Sequence, residues 1–287
     1  MNLGEEWRRN RGGRRPPLPH GEIGSLRALS HSLRMVLLRI LGAAASCAVL
    51  VIVSVWLIDR PVATWVHEHL GDSRFAWLRM SYEGHMLPIG PFSLMAGPAE
   101  ALGKIALAVL VLLALSVAAG WHPKRRGRVL LALSLSIPVA LAMNKAAKDV
   151  FGRTWPESWR GDNPSWIRDG VFGFFPFHGG PSWGSFPSGH TTVITTAATL
   201  LWLVWPEFRV LWAALVAMVV IGLIGANYHF VADIIGGIYL GLAIGISAAG
   251  LMFALNDRTD TPIIRMQSPA EQNAPVLEEG SPTPRQT

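Results

Sequence analysis

The sequence is poor in what soluble domains use most: charged side chains make up 15% of its 287 residues, and cysteine occurs once, at Cys47. A single cysteine permits no internal disulfide and no thiolate metal cluster. So little charge, beside 51% hydrophobic residues and a mean hydropathy of +0.34, excludes an ordinary soluble domain of this size. Also missing is a short apolar core with a small-residue cleavage site near the start, so the first residues read as a retained tail. The net charge of +6 comes with no nucleic-acid motif, and the arginines cluster beside apolar runs. That placement favours orientation in a membrane and no nucleic-acid partner.

What is present is a series of apolar runs near the ~17–25 residues that cross a bilayer. Six are expected to span: Ile40–Ile58, Pro98–Gly120, Val129–Met143, His190–Trp205, Val210–Ala226 and Ile234–Leu255. The fold class is therefore an all-α polytopic bundle. Residues 1–39 form a basic cytoplasmic tail holding eight arginines, 40–255 the membrane domain, and 256–287 a polar, proline-rich tail expected to be disordered. Residues 59–97 are too polar to span and read as an interfacial amphipathic segment. His67 and His69 within it have no third ligand at metal-binding spacing and read as a solvated helix face. The loop Trp121–Arg128, with Lys124, Arg125, Arg126 and Arg128, marks the cytoplasmic side. Glu100 and Lys104, four apart, read as a self-satisfied pair. From a cytoplasmic N-terminus, the ends of the third and fifth spans and the starts of the fourth and sixth then face outward.

The reactive residue types gather at those ends. In Gly184–Thr191, GSFPSGHT, Pro187 fixes the backbone and Ser188 is a good N-cap, so Gly189 and His190 open a helix whose unpaired N–H groups suit an anion. Gly189 lets a ligand approach the backbone, and His190 is placed to protonate a leaving oxygen. His229 and Asp233, four apart, allow the carboxylate to orient the imidazole and stabilise it when charged, leaving the other ring nitrogen as a nucleophile. Lys145, Lys148 and Arg153 supply cations for phosphoryl oxygens.

These residues resemble the type 2 phosphatidic acid phosphatase superfamily of membrane lipid phosphatases, whose motifs are K-x6-RP, PSGH and SR-x5-H-x3-D. The second motif is intact as Pro187–His190 and the third keeps His229-x3-Asp233, over roughly residues 100–250. The resemblance implies His229 as nucleophile, Asp233 as its orienting acid and His190 as general acid. It also implies phosphate held by Lys148, Arg153, Ser188 and Gly189, with no metal or cofactor. The chain departs from the pattern twice. Trp155 stands at the first-motif arginine, with Arg153 the nearest substitute, and Gly222–Leu223 replaces Ser-Arg of the third. Lys145, Arg160 or Arg168 are the remaining candidates to compensate. The expected function is outward-facing hydrolysis of a lipid phosphate or diphosphate at a bacterial inner membrane. A phosphotransferase acting on an alcohol is the enzymatic alternative. A transporter fits less well, because no polar group sits near mid-span.

Overall fold

A computed structural model of the chain describes residues 20–70, 78–82, 85–158 and 163–260. The helices are α1 (His20–Leu57), α2 (Asp59–Leu70), α3 (Pro91–Ala118), α4 (Arg125–Phe151), the single turn α5 (Trp166–Asp169), α6 (Gly189–Val204), α7 (Arg209–Gly225) and α8 (Val231–Asp260). A short antiparallel hairpin of β1 (Leu78–Tyr82) and β2 (His85–Ile89) lies between α2 and α3. Five helices are long and apolar enough to cross a membrane, and α6 is a shorter apolar helix of 16 residues. The protein is an integral membrane protein of helical-bundle class.

All six expected spans coincide with helices, with shifted ends. The helix α1 runs back to His20, into the segment expected to be a tail, and its membrane-length part is Arg34–Leu57. Residues 1–19, and 261–287 of the expected disordered tail, lie outside the described residues. The helix α3 begins seven residues before Pro98, with Pro91 at its first position, where a missing N–H costs no hydrogen bond. The segment 59–97 therefore divides into three parts: only α2 is the amphipathic helix expected there. On α2 the buried residues Asp59, Ala63 and Val66 follow helical spacing, while His67 and His69 are exposed. Glu100 and Lys104 form the expected exposed pair at 2.7 Å.

The helices α6 and α8 meet through small residues. A methyl group added to Gly237, Gly241 or Gly245 would come within 2.7, 2.7 and 2.8 Å of the carbonyl oxygens of Ser188, Thr192 and Thr196. Both sets repeat every four residues, so backbone faces backbone along one stripe, as small-residue packing in membranes allows. Gly241→Val is accordingly expected to cost about 1–3 kcal/mol by overpacking. Thermal unfolding in detergent checks this, and an unchanged midpoint would mean the helices are not in backbone contact. The apolar contacts continue as clusters around Leu200 and Val204 with Val129 and Met252, and around Leu223 with Ala96, Ala99, Ile194, Val219 and Ile234. The start of α6 is thereby held against the start of α8 and the end of α4.

Candidate active site

Between α4 and α6 the described residues 152–158 and 163–188 form a strap across one end of the bundle. It leaves α4 at Gly152, which adopts φ +54 and where a methyl group would lie 2.0 Å from the carbonyl oxygen of Phe175. Only glycine fits that turn. Isolated bridges pair Arg153 with Phe174 and Gly184, and Ser185 Oγ donates to the Thr154 carbonyl at 2.6 Å.

The strap delivers the start of α6. Ser188 caps it, its hydroxyl accepting the Thr191 N–H at 3.4 Å and the Thr191 hydroxyl at 3.0 Å, while its own N–H donates to the Asp233 carbonyl at 2.9 Å. Asn144 of α4 fixes this turn from below, donating to the Pro187 carbonyl at 3.0 Å and to Thr192 Oγ1 at 3.1 Å. A methyl group on Gly189 would meet Asn144 Oδ1 at 3.3 Å and Lys148 Nζ at 3.9 Å, so the lysine of the last turn of α4 reaches the first turn of α6. His190 follows in that turn, half-buried.

His229 and Asp233 are brought together, though His229 sits in the turn before α8 and not on the helix. Its Nδ1 lies 3.3 Å from Asp233 Oδ2, which also accepts the Phe230 N–H at 3.0 Å. Burial holds the imidazole below the usual histidine range. The hydrogen bond and charge of Asp233 oppose that shift, Lys148 adds to it, and a backbone hydrogen bond at Ser185 opposes it. A lowered value keeps the ring neutral, hence nucleophilic, to lower pH. The acid limb of the kcat/KM profile is therefore expected below pH ~6.5, the unperturbed histidine value. A pH–rate profile checks this, and a limb above that value would mean that Asp233 outweighs burial.

Trp155, at the place of the first-motif arginine, has its ring 5.3 Å from that of His229 and 5.7 Å from Lys148 Nζ. The motif position is thus beside the histidine even though its residue has changed. Leu223, at the third-motif arginine, is fully buried in an apolar cluster and brings no cation.

Arg153 is not where the sequence led us to expect it. Its side chain is wholly buried, with Nη1 donating to Asp233 Oδ1 at 2.6 Å and Nη2 to Asp59 Oδ2 at 2.5 Å. The guanidinium also lies 4.7 Å from the ring centres of both Phe174 and Phe230. Both arms of the fork are taken by carboxylates, so the buried side chain joins Asp59 to Asp233. Lys145 is paired with Asp149 at the surface and Arg168 with Asp169, while Arg160 lies outside the described residues. Lys148 is the expected cation that stands beside His229.

Asp59 was missed. It directly follows an apolar run and reads in the sequence as a stop signal, yet it is fully buried against the site. An acid that opens a helix whose same face carries Ala63 and Val66 is the available signal, and spacing alone does not reveal its partner. Among the described residues no group of three or more histidine, cysteine or acidic side chains is placed to hold a metal.

The family model described as the PAP2 superfamily matches residues 129–257, from α4 to α8. Two curated relatives are each 32% identical over 92 residues: lipid A 1-phosphatases of Rhizobium johnstonii and Rhizobium etli. Those stretches cover 30% of this chain and 38% and 40% of the relatives, so the chain matches about two-fifths of their length. Among solved structures, the transmembrane PAP2-type phosphatidylglycerolphosphate phosphatase of Bacillus subtilis aligns at 17% identity with a TM-score of 0.30, covering 74% of this chain and 98% of that one.

Proposed function

We propose that the chain, whose residues 129–257 match the model of the PAP2 superfamily, is a lipid phosphate phosphohydrolase working through a phosphohistidine. The observation that carries this reading is the His229–Asp233 pair at 3.3 Å, set beside Lys148 and the N-terminal turn of α6. The ring nitrogen of His229 turned away from Asp233 attacks phosphorus as the bond to the lipid oxygen breaks. His190 gives its proton to the departing oxygen. Water then attacks the phosphohistidine, His190 takes the proton, and the P–N bond breaks to release phosphate and restore the imidazole. Asp233 stabilises the positive ring in between.

Lys148 and the backbone of the first turn of α6 meet the equatorial oxygens, with Gly189 permitting close approach. Ser188 serves this site as the cap that aims the turn. The reaction needs no metal, since these groups supply the positive charge. The site faces outward, on the side opposite the basic loop at Arg125, so that a lipid enters with its chains still in the bilayer.

Two relatives named as lipid A 1-phosphatases put lipid A first among substrates to test. Trp155 and Leu223, in place of two cations, favour a second reading in which the phosphoryl group passes to an alcohol. Purified protein in detergent with EDTA should be offered lipid A, phosphatidate, phosphatidylglycerophosphate and polyprenyl diphosphate, with and without an acceptor alcohol. Phosphate release independent of alcohol supports the hydrolase. A phosphorylated alcohol supports the transferase, and no product from any lipid contradicts both.

A further inference from the structure

Four buried or nearly buried side chains form one chain of polar contacts: Asp59 to Arg153 at 2.5 Å, Arg153 to Asp233 at 2.6 Å, and Asp233 to His229 at 3.3 Å. The first member comes from α2, outside the residues 129–257 that match the family model. We propose that Asp59 is a positioning residue of the active site, drawing one arm of Arg153 away from Asp233 so that the second oxygen of Asp233 stays with His229. This rests on the reading of His229 as the nucleophile.

The geometry gives two reasons. A guanidinium facing a single carboxylate tends to take both of its oxygens in a fork, which here would compete with His229 for Oδ2. Asp59 prevents that by taking Nη2, and is itself locked by Ser54 Oγ at 2.8 Å and the Ala232 N–H at 3.0 Å, both on its Oδ1. Every oxygen of the two carboxylates therefore has an assigned donor, and the plane of the guanidinium is set by both. The second reason is charge. Two carboxylates share one guanidinium with no exposure to solvent, which leaves one uncompensated negative charge in the cluster. It is balanced when the His229 ring becomes positive, as it does on forming the P–N bond. Asp59 thus favours the charged intermediate from three contacts away.

The charged groups facing His229 are Lys148 from α4, Asp233 from α8 and, behind Asp233, Arg153 of the strap and Asp59 of α2. His190 is the other titratable residue opening this end of the bundle. Asp59→Asn removes the surplus negative charge. It is expected to lower kcat by about 10- to 100-fold with KM nearly unchanged, and to move the His229 titration down by about 0.5–1 pH unit. Asp59→Glu keeps the charge and disturbs only the fit, so its titration stays within about 0.3 unit of wild type while kcat falls less.

The test is an NMR titration of 15N-labelled histidine in detergent-solubilised full-length wild type, Asp59→Asn and Asp59→Glu, together with kcat and KM on the lipid the wild type hydrolyses. A folded Asp59→Asn whose His229 titration and acid limb match wild type overturns the proposal, whatever its activity, because a purely structural role leaves the ring's titration in place. If Asp59→Asn does not fold, Asp59→Ser, which also removes the charge, takes its place: a His229 titration that matches wild type overturns the proposal, and a downward displacement with a loss in kcat supports it. A displacement beyond half a unit in Asp59→Glu, or a loss carried by KM, overturns it in either case. A wild type that hydrolyses no lipid phosphate contradicts the functional reading, and the titrations still decide whether Asp59 is coupled to His229.

Discussion

His229→Ala is expected to lower turnover on lipid phosphates by about four decades or more, roughly 5.5 kcal/mol or more of transition-state stabilisation. The size follows from what is lost. His229 is the group at this end of the bundle that combines a neutral, buried ring with an orienting carboxylate, so its removal deletes the attacking atom and not a neighbour of it. The cavity left is small beside the helix packing that holds the site, and the protein should purify normally. Phosphate release from the preferred lipid, measured against a matched preparation of wild type, checks this. A loss of tenfold or less would assign His229 to orientation of something else.

Arg153→Lys is expected to lower turnover by about 10- to 1000-fold, on the order of 1.4–4 kcal/mol. Arg153 spans two carboxylates with a planar fork, and a lysine ammonium is a point charge that satisfies one of them well and the other poorly. Arg153→Ala is more severe, because two carboxylates then remain buried without their cation, at a cost of about 3–5 kcal/mol to the fold. Introducing arginine at Trp155 in the Arg153→Lys background should give no recovery, since position 155 sits between Lys148 and His229 and not between the two acids. Full recovery would mean that Arg153 acts on phosphate directly. Kinetics on the single and double variants, with thermal unfolding as the control, separates these outcomes.

The parts of the site that lie close in sequence were legible. Ser188 as a cap and Gly189–His190 as a helix start follow from local chemistry, and His229 and Asp233 at four-residue spacing meet although the helix begins only after His229. The apolar runs marked the bundle helices because membrane-length hydrophobicity is a local property. The helix α1 extended past its expected start because helix formation does not stop where apolar character does. Arg153 was misplaced for a different reason. Its orientation is decided by Asp59, 94 residues upstream, and by the rings of Phe174 and Phe230, and nothing in the local sequence says which way a strap arginine turns. Trp155 was legible as a departure from a motif but not as a ring lying against the histidine. The stripe of Gly237, Gly241 and Gly245 was not singled out in the sequence, because the carbonyls of α6 that it packs against emerge only in three dimensions.

The central claim is that phosphorus is bonded to His229 during the reaction. The most direct measurement is to mix the His190→Ala protein with a lipid phosphate carrying an activated leaving group, which needs little protonation to depart. The mixture is quenched in base, where phosphohistidine survives, and the modified peptide is located by mass spectrometry. The account predicts one phosphate on the peptide containing His229, its loss on brief acid treatment, and its absence from His229→Ala. Phosphate on any other residue, or phosphate release with no covalent adduct under conditions of rapid turnover, would contradict it.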